Sequence, residues 1–207
     1  MKRLPSILLA AGLLLPASNA SAQTTLSLHG GLNLAILTNE ARDTLLPFSY
    51  LRVAKPHFGL SATFRLTPPE RVNSLGVQLS GSYAGRGADV QGLSGSALSL
   101  NYLEVAALID VRVPLVIEPL AVHIQAGPTL GWLMSCEREN PCSDGEFNSM
   151  DFGLALGGNL EIGLTDKMGI MAGFLYNSGL TYADGGDEPF RKNRSLALRG
   201  GILFPIG

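Results

Sequence analysis

The sequence predicts an all-β protein: an eight-stranded antiparallel up-and-down transmembrane β-barrel. Three features point to it. Apolar residues recur with a period of two in eight separate segments. Long polar connections alternate with short turns along the chain, as in barrels that cross a membrane with tight turns on one side and longer loops on the other. Charge is also scarce, at 15% of residues, where ordinary soluble domains carry about 25%. Yet no stretch beyond residue 22 is apolar for the ~18 residues a membrane helix needs. The best candidate, Val105 to Val122, is broken by Asp110, Arg112, Pro114, Glu118 and Pro119.

The first 22 residues read as a secretory signal peptide. Lys2 and Arg3 supply a positive start, Ile7 to Leu15 a short apolar core, and Ala20-Ser21-Ala22 a small-residue cleavage pattern. Residues 23–207 then form one barrel domain.

The first strand carries Leu26, Leu28, Leu32, Leu34 and Ile36 against Ser27, His29, Gly31 and Asn33. In the second, Phe58, Leu60, Ala62, Phe64 and Leu66 alternate with His57, Gly59, Ser61, Thr63 and Arg65. The third sets Leu75, Val77, Leu79 and Tyr83 against Ser74, Gly76, Gln78 and Ser80. The fourth sets Leu103, Val105, Ala107, Ile109 and Val111 against Glu104, Ala106 and Asp110. Leu120, Val122, Ile124, Leu130 and Trp132 oppose His123, Gln125, Gly127, Thr129 and Gly131 in the fifth. The sixth has Phe152, Leu154, Leu156, Leu160 and Ile162 opposite Asp151, Gly153, Gly157, Asn159 and Glu161. The seventh pairs Met168, Ile170, Ala172, Phe174 and Tyr176 with Gly169, Gly173 and Asn177. In the eighth, Leu196, Leu198, Ile202 and Phe204 oppose Ser195, Ala197, Arg199 and Gly201.

Short turns are expected at Pro68-Pro69-Glu70-Arg71, from Val113 to Pro119, and at Thr165-Asp166-Lys167. Longer polar loops are expected over Thr38–Lys55, Gly85–Ser96, Ser135–Met150 and Ser178–Arg194. The glycine pairs Gly30-Gly31 and Gly157-Gly158 suit strand kinks in a tightly curved barrel.

The composition of the polar face decides what the apolar face meets. It is rich in Gly, Ser and Ala, and the lysines beyond residue 22 (Lys55, Lys167 and Lys192) all fall in connections or at strand ends. A water-facing surface would carry many Lys and Glu residues. An eight-stranded lumen is just wide enough for side chains to fill it, which small residues with a few long charged ones can do. The apolar stripes are therefore assigned to lipid. Phe58, Tyr83, Tyr102, Trp132, Phe152, Tyr176 and Phe204 fall mostly near strand ends, where aromatic girdles form.

The inward charges Arg65, Glu104, Asp110, Glu161 and Arg199 are the strongest constellation. Buried charges must be paired, so an arginine–carboxylate network across the lumen is expected. Its structural reading is a plug, and its functional reading is a gate or a narrow polar route. His29, His57 and His123 also fall on the inward face, spread over different strands with no Asp at ligand spacing, so no metal site or cofactor is expected. No Gly-x-Ser-x-Gly elbow is present, and no catalytic residue is assigned. Asp184, Asp187 and Glu188 with Gly185 and Gly186 make an acidic turn that does not match a calcium loop. Cys136 and Cys142 lie close together, and in an exported protein they favour a local disulfide contributing about 2 kcal/mol. With 15 basic and 17 acidic residues and no basic stripe, nucleic acid is not an expected partner.

Three segments carry a family resemblance: Asn101-Tyr102-Leu103-Glu104-Val105, Gln125-Ala126-Gly127-Pro128-Thr129-Leu130-Gly131, and Asp151-Phe152-Gly153-Leu154-Ala155-Leu156-Gly157-Gly158. Together they resemble the PorT-type outer-membrane β-barrel family, often called simply the porin family. The resemblance implies a cell outer-membrane location and a small barrel fold rather than an activity. The sequence departs from the family where Phe204 is followed by Pro205-Ile206-Gly207 rather than ending on an aromatic, and where Ala106-Ala107 replaces a proline.

The expected function is therefore a non-enzymatic integral barrel with a side-chain-filled lumen, in a structural, surface-interaction or narrow transport role. Its expected partners are outer-membrane lipid and the outer-membrane assembly machinery, and it is expected to be a monomer. The alternatives are a lipid-modifying outer-membrane enzyme, with Ser and His adjacent on the outer face, and a soluble lipocalin-like periplasmic carrier, with the apolar stripes lining a cavity.

Overall fold

A computed structural model describes residues 23–39, 50–67, 73–90, 97–138, 141–143, 145–185 and 191–206. The expected signal peptide, the Pro68–Arg71 turn, and Gly186, Asp187 and Glu188 of the acidic turn lie outside these residues. The strands are β1 (Thr24–Asn39), β2 (Tyr50–Leu51), β3 (Val53–Arg65), β4 (Ser74–Val90), β5 (Leu98–Pro114), β6 (Leu120–Glu137), β7 (Met150–Thr165), β8 (Met168–Gly179) and β9 (Arg191–Ile206).

All but the two-residue β2 form a closed antiparallel barrel of eight strands. β1 pairs with β3 on one side and with β9 on the other, and the β4–β5 pairing completes the ring. β2 adds a short rung to β4 through Tyr50–Val90 and Leu51–Asp89. Closure leaves no sheet edge open, the condition for exposing strands to hydrocarbon.

The alternation sets the two faces. Leu28, Phe58, Leu60, Ile109, Leu156 and Phe174 are exposed on the outside, while His29, Ser61, Gln78, Asp110, Gln125 and Asn159 are buried inside. Such a molecule is inverted relative to a soluble protein, with its greasy surface outward. Phe58 and Tyr83 stack on that outer wall with ring centroids 4.9 Å apart. Tyr102 corrects the expected girdle: it shares the parity of Glu104, points inward and is fully buried.

The strands run further than the apolar stripes indicated. β4 continues to Val90 and β6 to Glu137, through residues expected to be loop. About 9–11 residues suffice to cross a membrane at the usual tilt, so β5 and β6, at 17 and 18 residues, stand beyond it. Above the membrane the ladder goes on because its hydrogen bonds do not depend on lipid. No bulge marks the glycine pairs. Registers run unbroken through Gly30-Gly31 and Gly157-Gly158, and the irregularities fall at Asn101/Tyr102 and Gly163/Thr165. A Cβ on Gly31 would run into the Leu198 carbonyl, and one on Gly157 into that of Phe174. At these positions glycine permits close approach of neighbouring strands.

Candidate functional site: the filled lumen and its cap

From the end carrying the termini to the end carrying the long connections, the lumen holds four kinds of filling. At the terminal end, a vestibule of about 240 Å³ is lined by Gln23, Thr25, Arg65, Ser74, Arg112 and Glu161. Behind it lies the first ion cluster. Arg65 on β3 donates to Asp110 on β5 at 2.5 Å. His123 on β6 places Nδ1 3.0 Å from Asp110 and Nε2 2.7 Å from Glu161 on β7. Arg112 donates to the other Glu161 oxygen at 3.0 Å. Gln125 donates to Asp110 at 2.8 Å and also bonds Gln78. Beyond the vestibule this layer holds a pocket of about 20 Å³, room for roughly one water.

Arg199 borders this cluster but has no carboxylate at ion-pair distance among the described residues. It donates to Gln125 Oε1 at 2.6 Å and to Asn159 Oδ1 at 3.3 Å. An apolar layer follows, formed by Ala106, Leu108, Ala155, Leu175 and Ala197. His29 and His57 stack in the lumen at 5.6 Å, and neither ring nitrogen of His57 has a hydrogen-bond partner in the wall.

The second ion cluster centres on Arg86 of β4, which bonds Glu104 on β5 and donates to Asp151 on β7 at 2.5 Å. Asn177 donates to Glu104 at 3.0 Å, Asn193 to Asp151 at 3.0 Å, and Thr181 to Asp151 at 3.1 Å. The Arg86 guanidinium also lies 5.2 Å from the centre of the Tyr102 ring.

The fourth filling is a cap at the long-connection end. Phe147 and Ala183, from the connections after β6 and β8, pack on Leu37, Ala88, Leu98, Leu100 and Tyr102. These two connections are zipped together through Asn148 N to Ala183 O at 2.8 Å and Gly185 N to Glu146 O at 3.0 Å. Asp184 is held by Arg191, whose backbone and side-chain nitrogens both donate to it at 2.7 Å. The Cys136–Cys142 disulfide ties off the tip of β6 under the same cap.

The five charges read from the sequence thus fall into two clusters instead of one network. Glu104 belongs to the upper cluster; Arg65, Asp110 and Glu161 belong to the lower; Arg199 sits beside the lower one on amide oxygens. Arg86 falls in the expected loop Gly85–Ser96 and so escapes the sequence reading, although the continued alternation Ser82, Ala84, Arg86, Ala88 is a signal that finds it. Asp151 was on the expected inward face without a role. Arg65, Arg86 and Arg112 each bond a lumen carboxylate, and His123 bridges Asp110 and Glu161. Close pairing of opposite charges is what makes charge tolerable inside a barrel wall.

All three histidines of the chain face the lumen, so a Ser–His dyad cannot form on the lipid-facing wall. Among the described residues, no group of three His, Cys, Asp or Glu side chains could hold a metal ion. The long apolar stripes face outward, and the lumen is polar apart from one apolar layer and the cap, the reverse of a lipocalin-like cavity.

This architecture defines the class: a closed, eight-stranded, all-antiparallel barrel of the outer-membrane type. Among solved structures, the chain is similar to Neisserial surface protein A (NspA), at 14% identity and a TM-score of 0.51, over 88% of this chain and 97% of that one. It is similar to the outer membrane protein OprG from Pseudomonas aeruginosa at 12% identity and a TM-score of 0.51, with the same coverage of both chains. No protein-family model matches the chain, and no curated protein sequence does.

Proposed function

We propose that this protein is a monomeric outer-membrane barrel of the PorT-type group that works as a closed scaffold, presenting its long-connection end as an interaction surface. In this reading it is exported through the segment before Gln23, inserted by the outer-membrane assembly machinery and surrounded by lipid. It is neither an enzyme nor an open pore. One observation carries the reading. Behind the terminal-end vestibule the lumen is filled by two ion clusters, an apolar layer between them and a cap above, and the pocket within the lower cluster holds about 20 Å³. Recognition then belongs to the capped end, because long connections on a rigid wall are where binding residues are usually placed.

Conductance of the refolded protein in a planar bilayer tests this. Membranes containing the protein should stay electrically silent under applied voltage. Regular unitary current steps from the wild-type protein would replace the scaffold with a narrow conduit.

A further inference from the structure

On the outer wall, at the long-connection end, a depression of about 260 Å³ is lined by Leu34, Ile36, Thr38, Arg52, Tyr176, Arg194 and Leu196, with the Ser195 backbone between. Its geometry follows from register. Ile36 lies directly across from Arg194 on β9. On its other side, Ala35 faces Val53 of β3, and Arg52 is the next residue along. Two guanidiniums therefore flank one apolar side chain, on strands two ladder spacings apart, or about 10 Å. Both arginines are exposed, and neither has a carboxylate at ion-pair distance among the described residues. Leu34 and Leu196 pair across β1 and β9 just below, so the floor continues into the lipid-facing stripe.

An apolar floor reaching into the hydrocarbon belt with paired cations at its upper rim matches an amphiphile whose acyl chains lie below an anionic headgroup. Arginine suits phosphate in particular, since its planar fork donates two parallel hydrogen bonds to phosphate oxygens. Cations at this depth also stand where a lipid headgroup would stand. We propose that the depression between Arg52 and Arg194 binds the phosphorylated headgroup of a membrane lipid, with Leu34, Ile36 and Leu196 against its chains. This rests on the membrane reading above.

The test uses full-length protein refolded into phosphatidylcholine vesicles doped with diphosphorylated lipid A, extracted gently, with co-retained lipid counted by native mass spectrometry. Lipid A should be retained in preference to phosphatidylcholine. Replacing both arginines (Arg52→Gln with Arg194→Gln) should cut that preference about tenfold or more, given the worth of charge-assisted hydrogen bonds, while Arg138→Gln should leave it unchanged. Lipid A stripped of its phosphates should show no preference on the wild-type protein, an arm that needs no variant to fold. Equal retention of stripped and phosphorylated lipid, or an undiminished preference in the double variant, would overturn the proposal. So would full displacement by inorganic pyrophosphate, which would mark an anion site indifferent to acyl chains. If the protein enters no vesicle of any composition, the membrane reading itself has failed; insertion without lipid preference removes this inference alone.

Discussion

Arg86 and Arg199 show how two lumen arginines of similar burial differ in consequence. Arg86 is the cation between Glu104 and Asp151, and both carboxylates are almost fully buried. Arg86→Met would leave two adjacent negative charges inside the wall, and losing one partner of a buried ion pair costs about 3–5 kcal/mol. Arg199 contacts amide oxygens of Gln125 and Asn159. Arg199→Met therefore strands no carboxylate at ion-pair distance, and its cost should be the smaller, about 1–3 kcal/mol. Urea unfolding in lipid vesicles, followed by tryptophan fluorescence, should rank the two in that order; equal costs would mean Arg199 neutralises the acidic clusters at longer range. Much of this was legible in the sequence at the residue scale, because parity places Arg65, Glu104, Asp110, Glu161 and Arg199 inside. Partner choice was not. It depends on the stagger of neighbouring strands, which brings Arg86 to Asp151 over 65 residues of chain and has no local signature.

Among the elements, β7 states the division of labour most clearly: Phe152, Leu154, Leu156 and Leu160 face out, and Asp151, Ala155 and Asn159 are buried. Leu156 lies near the middle of its strand and is 57% exposed, so an arginine there would sit near the bilayer midplane at a cost of about 2–4 kcal/mol. Met134, near the loop-side end of β6, is 66% exposed, yet Met134→Arg should cost about 0–1 kcal/mol. The difference should appear in vesicle unfolding, and it would vanish if both positions faced water. At the tip of β6 the disulfide closes a small loop. Cys136→Ser with Cys142→Ser should cost about 2 kcal/mol by loop-closure entropy, read as faster proteolysis at the capped end with the barrel itself unchanged. Strand order and facing were readable from the period-two pattern, but two features were not. Strand ends above the membrane carry no hydrophobic stripe, so β4 and β6 ran into expected loops. The apolar lumen layer also broke the rule that inside means polar. Alanines at 106, 155 and 197 leave space that Leu108 and Leu175 fill, a matter of volume that alternation does not encode.

For the whole molecule, everything depends on a seam between residues at opposite ends of the chain. β1 and β9 pair continuously from Thr24–Ile206 to Asn39–Arg191. None of the other barrel strands can supply that ladder, because each already has both neighbours. Removing Arg191–Gly207 would open two long edges at once, on β1 and β8, each facing lipid with unpaired amides and carbonyls at several kcal/mol apiece. It would also remove Arg199 from the lower lumen and Asn193 from Asp151 above. The remaining seven strands should therefore not settle into a smaller barrel. Pairings this distant in sequence form late and together, since their loop-closure cost must be met before any contact rewards it. The expected result is all-or-none: the truncated chain shows no heat-dependent shift in gel mobility, acquires little β signal in circular dichroism on vesicles, and aggregates through its open edges. A compact, protease-resistant seven-stranded species would mean that β1 through β8 form a self-sufficient sheet and that the seam merely finishes it.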